Sequence, residues 1–400
     1  MSLVGASLGR LALAPEARPG QAGATVAVFQ GDARERLDGW TSPARSGPPP
    51  ALTRAYLGDV AIAATVPGPA IAVRVERYFR KGFGPPRTIP VAAGPITSLT
   101  VAMDYRSDVL LAWQQRGAIY ARMLRASGRS DPTQRIGASE RNPQLQAVVS
   151  DNDHGMIAWS STRSVGSSAP RTSVRLALSD EGVRFRAPQL LAAFADPEHV
   201  GRLPGSLALV RLSTENVVLA WTAAEHGTYV IRGAPAVFAA SRPATRLSDT
   251  HVPAILAGLA PGPAGEAIAL SKRAPLPGHA LDPKRTELWA QRTFVVPHDR
   301  LATLPPTMIA AAGAHATSSI AVDPADDRAV AAWLTRGAKP RVEYAVGSGA
   351  PGYRPRPLAT LSPARAGVHW LRITLALVSG LALATLALVA SSKARRRRSR

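Results

Sequence analysis

The sequence predicts an all-β fold: a six-bladed β-propeller, with a seventh blade left open, followed by one C-terminal transmembrane α-helix. Two short phrases recur between residues 41 and 362 with a common spacing of about 50 residues. The 33 glycines and 35 prolines separate many short apolar segments, which is typical of strands joined by turns. An uncharged apolar run at 373–390 lies near the C-terminus.

The first phrase is a group of apolar residues followed by Ala and Trp. Its four clear copies end at Trp113, Trp159, Trp221 and Trp333, and two degenerate copies end at Ala64 and Ser271. Almost every position of the phrase is apolar, so we expect a strand that is buried on both faces. A propeller blade packs between two neighbours and buries its strands in this way.

The second phrase is an aromatic residue or Gly, then Pro, then a branched apolar residue. Its copies close at Ile89, Ile136, Leu190, Leu247, Leu301 and Leu358. The two phrases keep step, which indicates one repeated unit in which the Trp phrase is the second strand. An alternating third strand follows, and the Pro phrase carries the fourth, so each unit is a four-stranded blade. A pair of β-sandwiches is the competing architecture, but it does not explain the regular period.

The chain therefore divides into five predicted segments. These are an N-terminal segment at 1–40, the propeller at 41–362, a linker at 363–369, a transmembrane helix at 370–392 and a basic tail at 393–400. The first segment holds one strand-like piece, 25–30, which either helps to close the ring or belongs to a partial seventh blade. The segment itself is therefore either truncated or a partial blade.

The predicted helix implies a membrane location. With Trp370 at one end and Ser392 at the other, it is long enough to cross about 30 Å of hydrocarbon, and the lipid bilayer is the expected partner. The arginines at 395–398 mark the cytoplasmic side, which predicts a single-pass cell-membrane protein with an extracytoplasmic propeller. Residues 1–17 make a poor signal peptide, so we expect the start of the protein to lie upstream of Met1. A tail-anchored propeller in the cytosol is the alternative.

Composition excludes some functions. The chain has no cysteine, which excludes disulfides and thiol chemistry. Its net charge is +21. Only the tail is a concentrated basic run, and the rest of the charge is spread along the chain. The remaining charge indicates either a solvated arginine-rich surface or attraction to anionic polymers such as cell-wall polyanions. No zinc, helix-turn-helix or RNA-binding motif accompanies the charge, so a nucleic-acid partner is not expected.

At its repeats, over about 41–362, the sequence resembles the sialidase-like, or neuraminidase-like, propeller superfamily with BNR-type repeats. The resemblance implies the architecture. The superfamily's Asp-box, Ser-x-Asp-x-Gly-x-x-Trp, has its nearest match in the segment from Ser150 to Trp159. There the Trp arrives one residue late and the segment precedes a second strand, so we interpret the match as an ordinary turn.

The same resemblance implies the chemistry of a retaining sialidase: three arginines for a carboxylate, a Tyr nucleophile helped by a Glu, and an Asp acid/base. The superfamily's Phe-Arg-Ile-Pro motif has only a mid-chain echo at 201–204, where a position near the first blade is expected. Four arginines recur on the predicted third strands: Arg74, Arg122, Arg175 and Arg232. Repetition favours a structural or solvent role for them, and we interpret Tyr120 and Tyr229 as packing residues.

The sequence contains no clear metal-binding pattern. The histidines at 154, 199, 226, 251, 279, 298, 315 and 369 form no pair with metal-ligand spacing. The acidic stretch 323–327 is interpreted as a turn, although calcium is its alternative occupant. We therefore assign no catalytic or ligand-binding residue, no metal and no cofactor.

These observations favour a non-catalytic binding or scaffold module over an enzyme. The expected ligand is a protein, a glycan or a cell-wall polymer held at the loops of the propeller. The alternative is a sialidase-like glycoside hydrolase, which requires three arginines and an acid to converge at the mouth of the funnel.

Overall fold

A computed structural model gives two compact units, Met1–Leu358 and Ala359–Arg400. All described residues lie in the first unit; they are 2–5, 10–14, 25–30, 33–41, 47–48, 51–55, 59–77, 83–140, 143–164, 169–180, 184–203, 205–213, 216–237, 240–241, 243–249, 251–262, 265–275, 286–297, 300–310, 317–323, 328–334 and 342–348. Within these residues no helix is both long and apolar enough to cross a membrane. The predicted transmembrane helix at 370–392 lies outside them.

The described residues form seven antiparallel sheets, each built from strands that are consecutive in the chain. The first sheet contains β1 (Ser2–Gly5), β2 (Arg10–Ala14), β3 (Thr25–Gln30) and β4 (Ala33–Thr41). The second contains β5 (Ala51–Arg54), β6 (Val60–Val66), β7 (Ala70–Glu76) and β8 (Arg87–Pro90). The third contains β9 (Ile96–Met103), β10 (Val109–Gln115), β11 (Ala118–Leu124) and β12 (Gln134–Ala138).

In the fourth to sixth sheets the third strand pairs with two short outer segments. The fourth contains β13 (Gln144–Val149), β14 (Gly155–Arg163), β15 (Arg171–Asp180), β16 (Arg184–Phe185) and β17 (Gln189–Ala195). A short 3-10 helix, Val200–Arg202, leads to the fifth. The fifth contains β18 (Leu207–Arg211), β19 (Asn216–Glu225), β20 (Thr228–Val237), β21 (Ala240–Ser241) and β22 (Thr245–Arg246).

The last two sheets complete the series. The sixth contains β23 (Ala254–Pro261), β24 (Ala267–Arg273), β25 (Glu287–Val296), β26 (Arg300–Thr303) and β27 (Thr307–Ala310). The seventh contains β28 (Thr317–Asp323), β29 (Arg328–Leu334) and β30 (Val342–Ser348). The all-β prediction is confirmed, and the predicted repeats correspond to the second to seventh sheets.

The first strands of the sheets form an inner ring. β5, β9, β13, β18, β23 and β28 contact one another in chain order, and β1 contacts both β28 and β5. The ring therefore closes through the N-terminal sheet. Four strands of that sheet lie in a segment where the sequence indicated only one, 25–30.

The core lies between sheets, as the apolar second strands predicted. Trp113, Trp159 and Trp221 are fully buried on the second strands β10, β14 and β19. Each packs against the preceding sheet: Trp159, for example, joins a cluster with Leu110 and Met123 of the third sheet. A single sheet cannot cover its own face, so this burial between neighbours holds the sheets together.

Candidate functional site

The hairpins between first and second strands share one geometry. In the third and fourth sheets the residue before the loop donates its N–H to the carbonyl four residues on, Asp104 to Asp108 and Ser150 to His154. The third loop residue is left-handed in both, at φ 67° for Ser107 and 62° for Asp153. Three-residue hairpins commonly place Gly at this left-handed position. Ser107 and Asp153 occupy it instead, which strains the backbone of both loops.

We call one edge of the ring the hairpin face. On the third and fourth sheets it includes residues 104–108, 125–133 and 150–154. It carries the loops that join first to second strands and third to fourth strands. The 104–108 hairpin is fixed by Asp104, whose Oδ1 accepts the N–H groups of Arg106 at 2.9 Å and Asp108 at 2.8 Å. Ser150 Oγ accepts the corresponding N–H groups in the next hairpin.

Arg125 gathers carboxylates from two sheets at this face. Its Nη1 lies 3.0 Å from Asp108 Oδ2 and 2.8 Å from Asp153 Oδ2, and its Nη2 lies 2.9 Å from Asp131 Oδ2. Asp108 Oδ1 also accepts the N–H of Ala126 at 2.7 Å. The third and fourth sheets are thus joined by ion pairs that are mostly shielded from water.

The second sheet joins the same network. Ser107 donates its hydroxyl to Asp59, which lies just before β6. From β8, Arg87 donates to the carbonyl of Arg125 at 2.7 Å and to that of Arg129 at 2.8 Å. Burial, and then the charge of Arg122, lower the pKa of Arg87.

Burial and neighbouring charges raise the pKa values of Asp104 and Arg125 in this network. Burial raises the pKa of Asp104 to about 6, and the neighbouring carboxylates of Asp108 and Asp153 add to that rise while two N–H donors oppose it. Burial works against the charge of Arg125, but its bonds to Asp108 and Asp153 outweigh burial and raise its pKa. Asp104 Oδ2 and Asp153 Oδ1 are buried and accept no hydrogen bond.

Above this buried cluster the surface is aromatic and basic. Tyr105, the first loop residue, is 40% exposed. The Arg106 guanidinium lies 5.2 Å from the centre of its ring, and Arg106 Nε donates to the Tyr105 hydroxyl at 2.9 Å. Arg129 is exposed on the neighbouring loop. The arginines therefore face solvent while Asp104 and Asp108 are buried beneath them.

The structure places the four recurrent arginines in two registers. Arg74 lies opposite Ile62 and Arg122 opposite Leu111, which are equivalent positions. Arg175 and Arg232 instead lie opposite the second-strand tryptophans, Trp159 and Trp221. All four lie on third strands, away from the inner ring.

The predicted packing residues behave as expected. Tyr120 stacks on Trp113 with ring centroids 5.7 Å apart. Tyr229 is buried against Val200 and Ile255, and burial raises its pKa to about 12. The segment from Ser150 to Trp159 is a hairpin turn followed by the second strand β14, as interpreted from the sequence.

The remaining sequence candidates join no cluster in the described residues. Arg202, in the echo at 201–204, donates to the carbonyl of Thr162 from the 3-10 helix. The described histidines, at 154, 199, 226 and 251, take no part in the one group of described ligand-type side chains close enough to hold a metal. The other four histidines and residues 324–327 lie outside the described residues.

The group that sequence reasoning missed is Asp104, Asp108 and Asp153. One oxygen of each lies within 4.8 Å of the others. In the sequence both segments are short runs of acidic and polar residues, which are typical of turns. Only the common period of the repeat, which puts equivalent hairpins on one edge of neighbouring blades, was a signal that they meet.

A second buried carboxylate lies on the opposite edge of the ring and is structural. Asp196 accepts the N–H of Val200 at 2.8 Å, the N–H of Gly201 at 3.0 Å and the hydroxyl of Thr172 at 2.6 Å. Both of its oxygens therefore have donors, unlike those of Asp104.

No protein-family model matches the chain, and no curated protein matches it. Several solved structures are similar. An ulvan lyase, a polysaccharide lyase bound to -[GlcA(1-4)Rha3S]-, matches with TM-score 0.51 and 10% identity over 89% of this chain and 93% of the lyase. The β-propeller domain of the trilobed protease from Pyrococcus furiosus matches with TM-score 0.51 and 11% identity over 90% and 99%.

The NanB sialidase from Streptococcus pneumoniae matches with TM-score 0.42 and 10% identity over 84% of this chain and 65% of the sialidase. The fold assignment rests on the lyase and the protease domain, and identities this low show the fold alone. The propeller architecture that the resemblance to sialidase-like propellers implied is confirmed.

Proposed function

We propose that this chain is a membrane-anchored, extracytoplasmic β-propeller that binds an anionic glycan or wall polymer at its hairpin face without turning it over. The observation that carries the proposal is the exposed Tyr105–Arg106 pair at the tip of the 104–108 hairpin. The open face of an aromatic ring packs on the apolar face of a sugar. A guanidinium fork matches the geometry of a carboxylate or sulfate.

The pair stands on a preorganised loop. The two N–H bonds to Asp104 and the left-handed Ser107 fix the hairpin. A ligand therefore orders little additional chain on binding, which lowers the entropic cost of association.

Charge favours an anionic ligand. The net charge is +21, and Arg106 and Arg129 are exposed on the same face. Long-range attraction of this sign raises the association rate of polyanions. The similar ulvan lyase was solved with a glycan that carries glucuronic acid and sulfated rhamnose, so a propeller of this fold can hold an acidic saccharide.

A binding role fits the inner ring better than the hydrolase alternative does. Within the part of the chain that the structure describes, the first strands carry only two arginines, Arg54 and Arg211. Arg211 is paired with Asp151 at 2.8 Å. A sialidase-type site requires three arginines around one carboxylate, so the hydrolase alternative has no described site to support it and stays a prediction.

Binding of an acidic polysaccharide to the purified full chain in detergent tests the proposal. We expect binding to a glucuronate-containing polymer that weakens at high salt, and at least about tenfold weaker binding for Tyr105→Ala and Arg106→Ala, since each removes one contact type. Leu203→Ala and Arg163→Ala are matched controls, because both exposed side chains lie away from the hairpin face. Equal binding by all four variants contradicts the site, and release of glycan fragments contradicts the non-catalytic role.

The membrane anchor needs its own test. Replacing Leu381 and Leu383 with Arg puts two charges in the middle of the 370–392 segment, at a cost of about 2.5–3.5 kcal/mol each. We expect the native chain to resist alkaline extraction from membranes and the double variant to be extracted. A reporter fused to the C-terminus is expected to be active in the cytoplasm; activity only outside contradicts the proposed orientation.

A further inference from the structure

A candidate cation site lies beneath the Tyr105 hairpin. One carboxylate oxygen each from Asp104, Asp108 and Asp153 lies within 4.8 Å of the other two. Oxygens bound to one Ca²⁺ at 2.3–2.6 Å are at most about 5 Å apart, so the three can share an ion after small movements. Two of these residues come from the third sheet and one from the fourth.

The second observation is an oxygen without a donor. The Asp104 side chain is fully buried, its Oδ1 accepts two N–H groups, and its Oδ2 accepts none. Asp153 Oδ1 is likewise buried and without a donor. Buried polar atoms are almost always partnered, as both oxygens of the buried Asp196 are. Two buried acceptors without donors, on two of three carboxylates that lie this close together, indicate a missing positive partner.

Charge balance leads to the same conclusion. Among the residues that the structure describes, Arg125 is the one cation paired with Asp108, Asp131 and Asp153. Its Nη1 lies 3.0 Å from Asp108 Oδ2 and 2.8 Å from Asp153 Oδ2, while Asp153 Oδ1 and Asp104 Oδ2 are buried without a hydrogen-bond donor. Like charges this close are costly to bury unless a further cation neutralises them.

We propose that Asp104, Asp108 and Asp153 bind one Ca²⁺ ion that ties the third sheet to the fourth. The ligand set is oxygen only, which suits a hard cation and not zinc or copper. Water completes the coordination. The left-handed backbone of Asp153 is then a strained conformation that the ion helps to hold. The inference does not depend on glycan binding.

The test is calorimetric titration of CaCl₂ into the chelator-treated full chain in detergent, together with thermal unfolding with and without CaCl₂. We expect one Ca²⁺ per chain and a rise in the unfolding midpoint on addition of Ca²⁺. Asp104→Asn and Asp153→Asn are expected to weaken Ca²⁺ binding at least tenfold and to lose that rise. Asp151→Asn is the matched control, because its carboxylate lies in the same hairpin as Asp153 but pairs with Arg211.

Two results overturn the proposal. One is a native chain that neither binds Ca²⁺ nor gains stability from it, which is expected if a proton on Asp104 satisfies the cluster instead. The other is unchanged Ca²⁺ affinity in folded Asp104→Asn or Asp153→Asn. Circular dichroism checks folding, and the Asp153 variant keeps the test decisive if the buried Asp104 variant does not fold, since the Asp153 side chain is partly exposed.

Discussion

Glu225, at the end of β19, shows how single charges contribute to this fold. Its carboxylate accepts hydrogen bonds from Arg232 on β20 and Arg246 on β22. Burial pushes the pKa of Glu225 upward, but the two arginines outweigh burial and hold the pKa below its ordinary value. The recurrent third-strand arginine at this position is therefore part of an ion pair within the fifth sheet.

Glu225→Gln gives a pH-dependent prediction. A carboxyl whose folded pKa is lowered stabilises the fold above its unfolded pKa, and this stabilisation is lost as pH falls through the folded pKa. We expect the variant to have a free energy of unfolding about 1 kcal/mol lower at pH 7, with the difference gone well below pH 4. Denaturant titrations at both pH values measure it.

Glu140→Gln is the control for this prediction. Its pairing with Arg163 at 3.7 Å is well exposed, so we expect this substitution to change the free energy of unfolding little. A Glu225 variant whose deficit persists unchanged at low pH would show that the pair acts through packing and not through charge.

At the scale of elements, close approach of neighbouring sheets sets the sequence at a few turns. Gly205, just before β18, has φ +83°, and a Cβ there would lie 2.2 Å from the carbonyl oxygen of Ala257 on β23. Gly68, in the turn between β6 and β7, has the same φ and no atom within 4 Å of its Cβ position. A substitution at Gly68 therefore tests the effect of backbone strain alone, whereas one at Gly205 adds a steric clash between neighbouring sheets.

We expect Gly68→Ala to lower the free energy of unfolding by about 1 kcal/mol, because backbone strain at this φ is its single effect. Gly205→Ala is expected to cost about 2–4 kcal/mol, because the strand must also move away from β23. Urea denaturation of both variants measures the difference. Equal losses would mean that the fifth and sixth sheets are not in close contact at this point.

At the scale of the whole molecule, the N-terminal sheet closes the ring. β1 contacts both β5 and β28, so the second and seventh sheets each have a neighbour. Sheets of a propeller are apolar on both faces, and an unclosed ring leaves two of these faces uncovered.

Deletion of residues 1–41 is therefore expected to lower the thermal unfolding midpoint by several degrees and to increase binding of a hydrophobic dye. Deletion of the basic tail 393–400 is the control and is expected to leave both measurements unchanged. An unaltered midpoint after the N-terminal deletion would mean that six sheets form a stable ring by themselves.

The sequence by itself determined the repeat and the strands that carry its markers. The second strands ending near Trp113, Trp159 and Trp221 and the third strands after them lie where they were predicted, because apolar runs and alternation are local consequences of burial. The acidic and polar residues of the 104–108 and 150–154 hairpins are an equally local signal, because they are typical of turns.

Tertiary structure alone decided the first sheet, the arginine registers and the acidic cluster. Residues 2–41 carry neither marker phrase, yet they contain four strands. Strand formation there depends on pairing between strands and on closure of the ring more than on the local sequence pattern. The offset of two residues between Arg122 and Arg175 depends on register against the partner strand. Asp153 meets Asp104 only because two neighbouring sheets bring equivalent hairpins together, and no spacing along the chain encodes that distance.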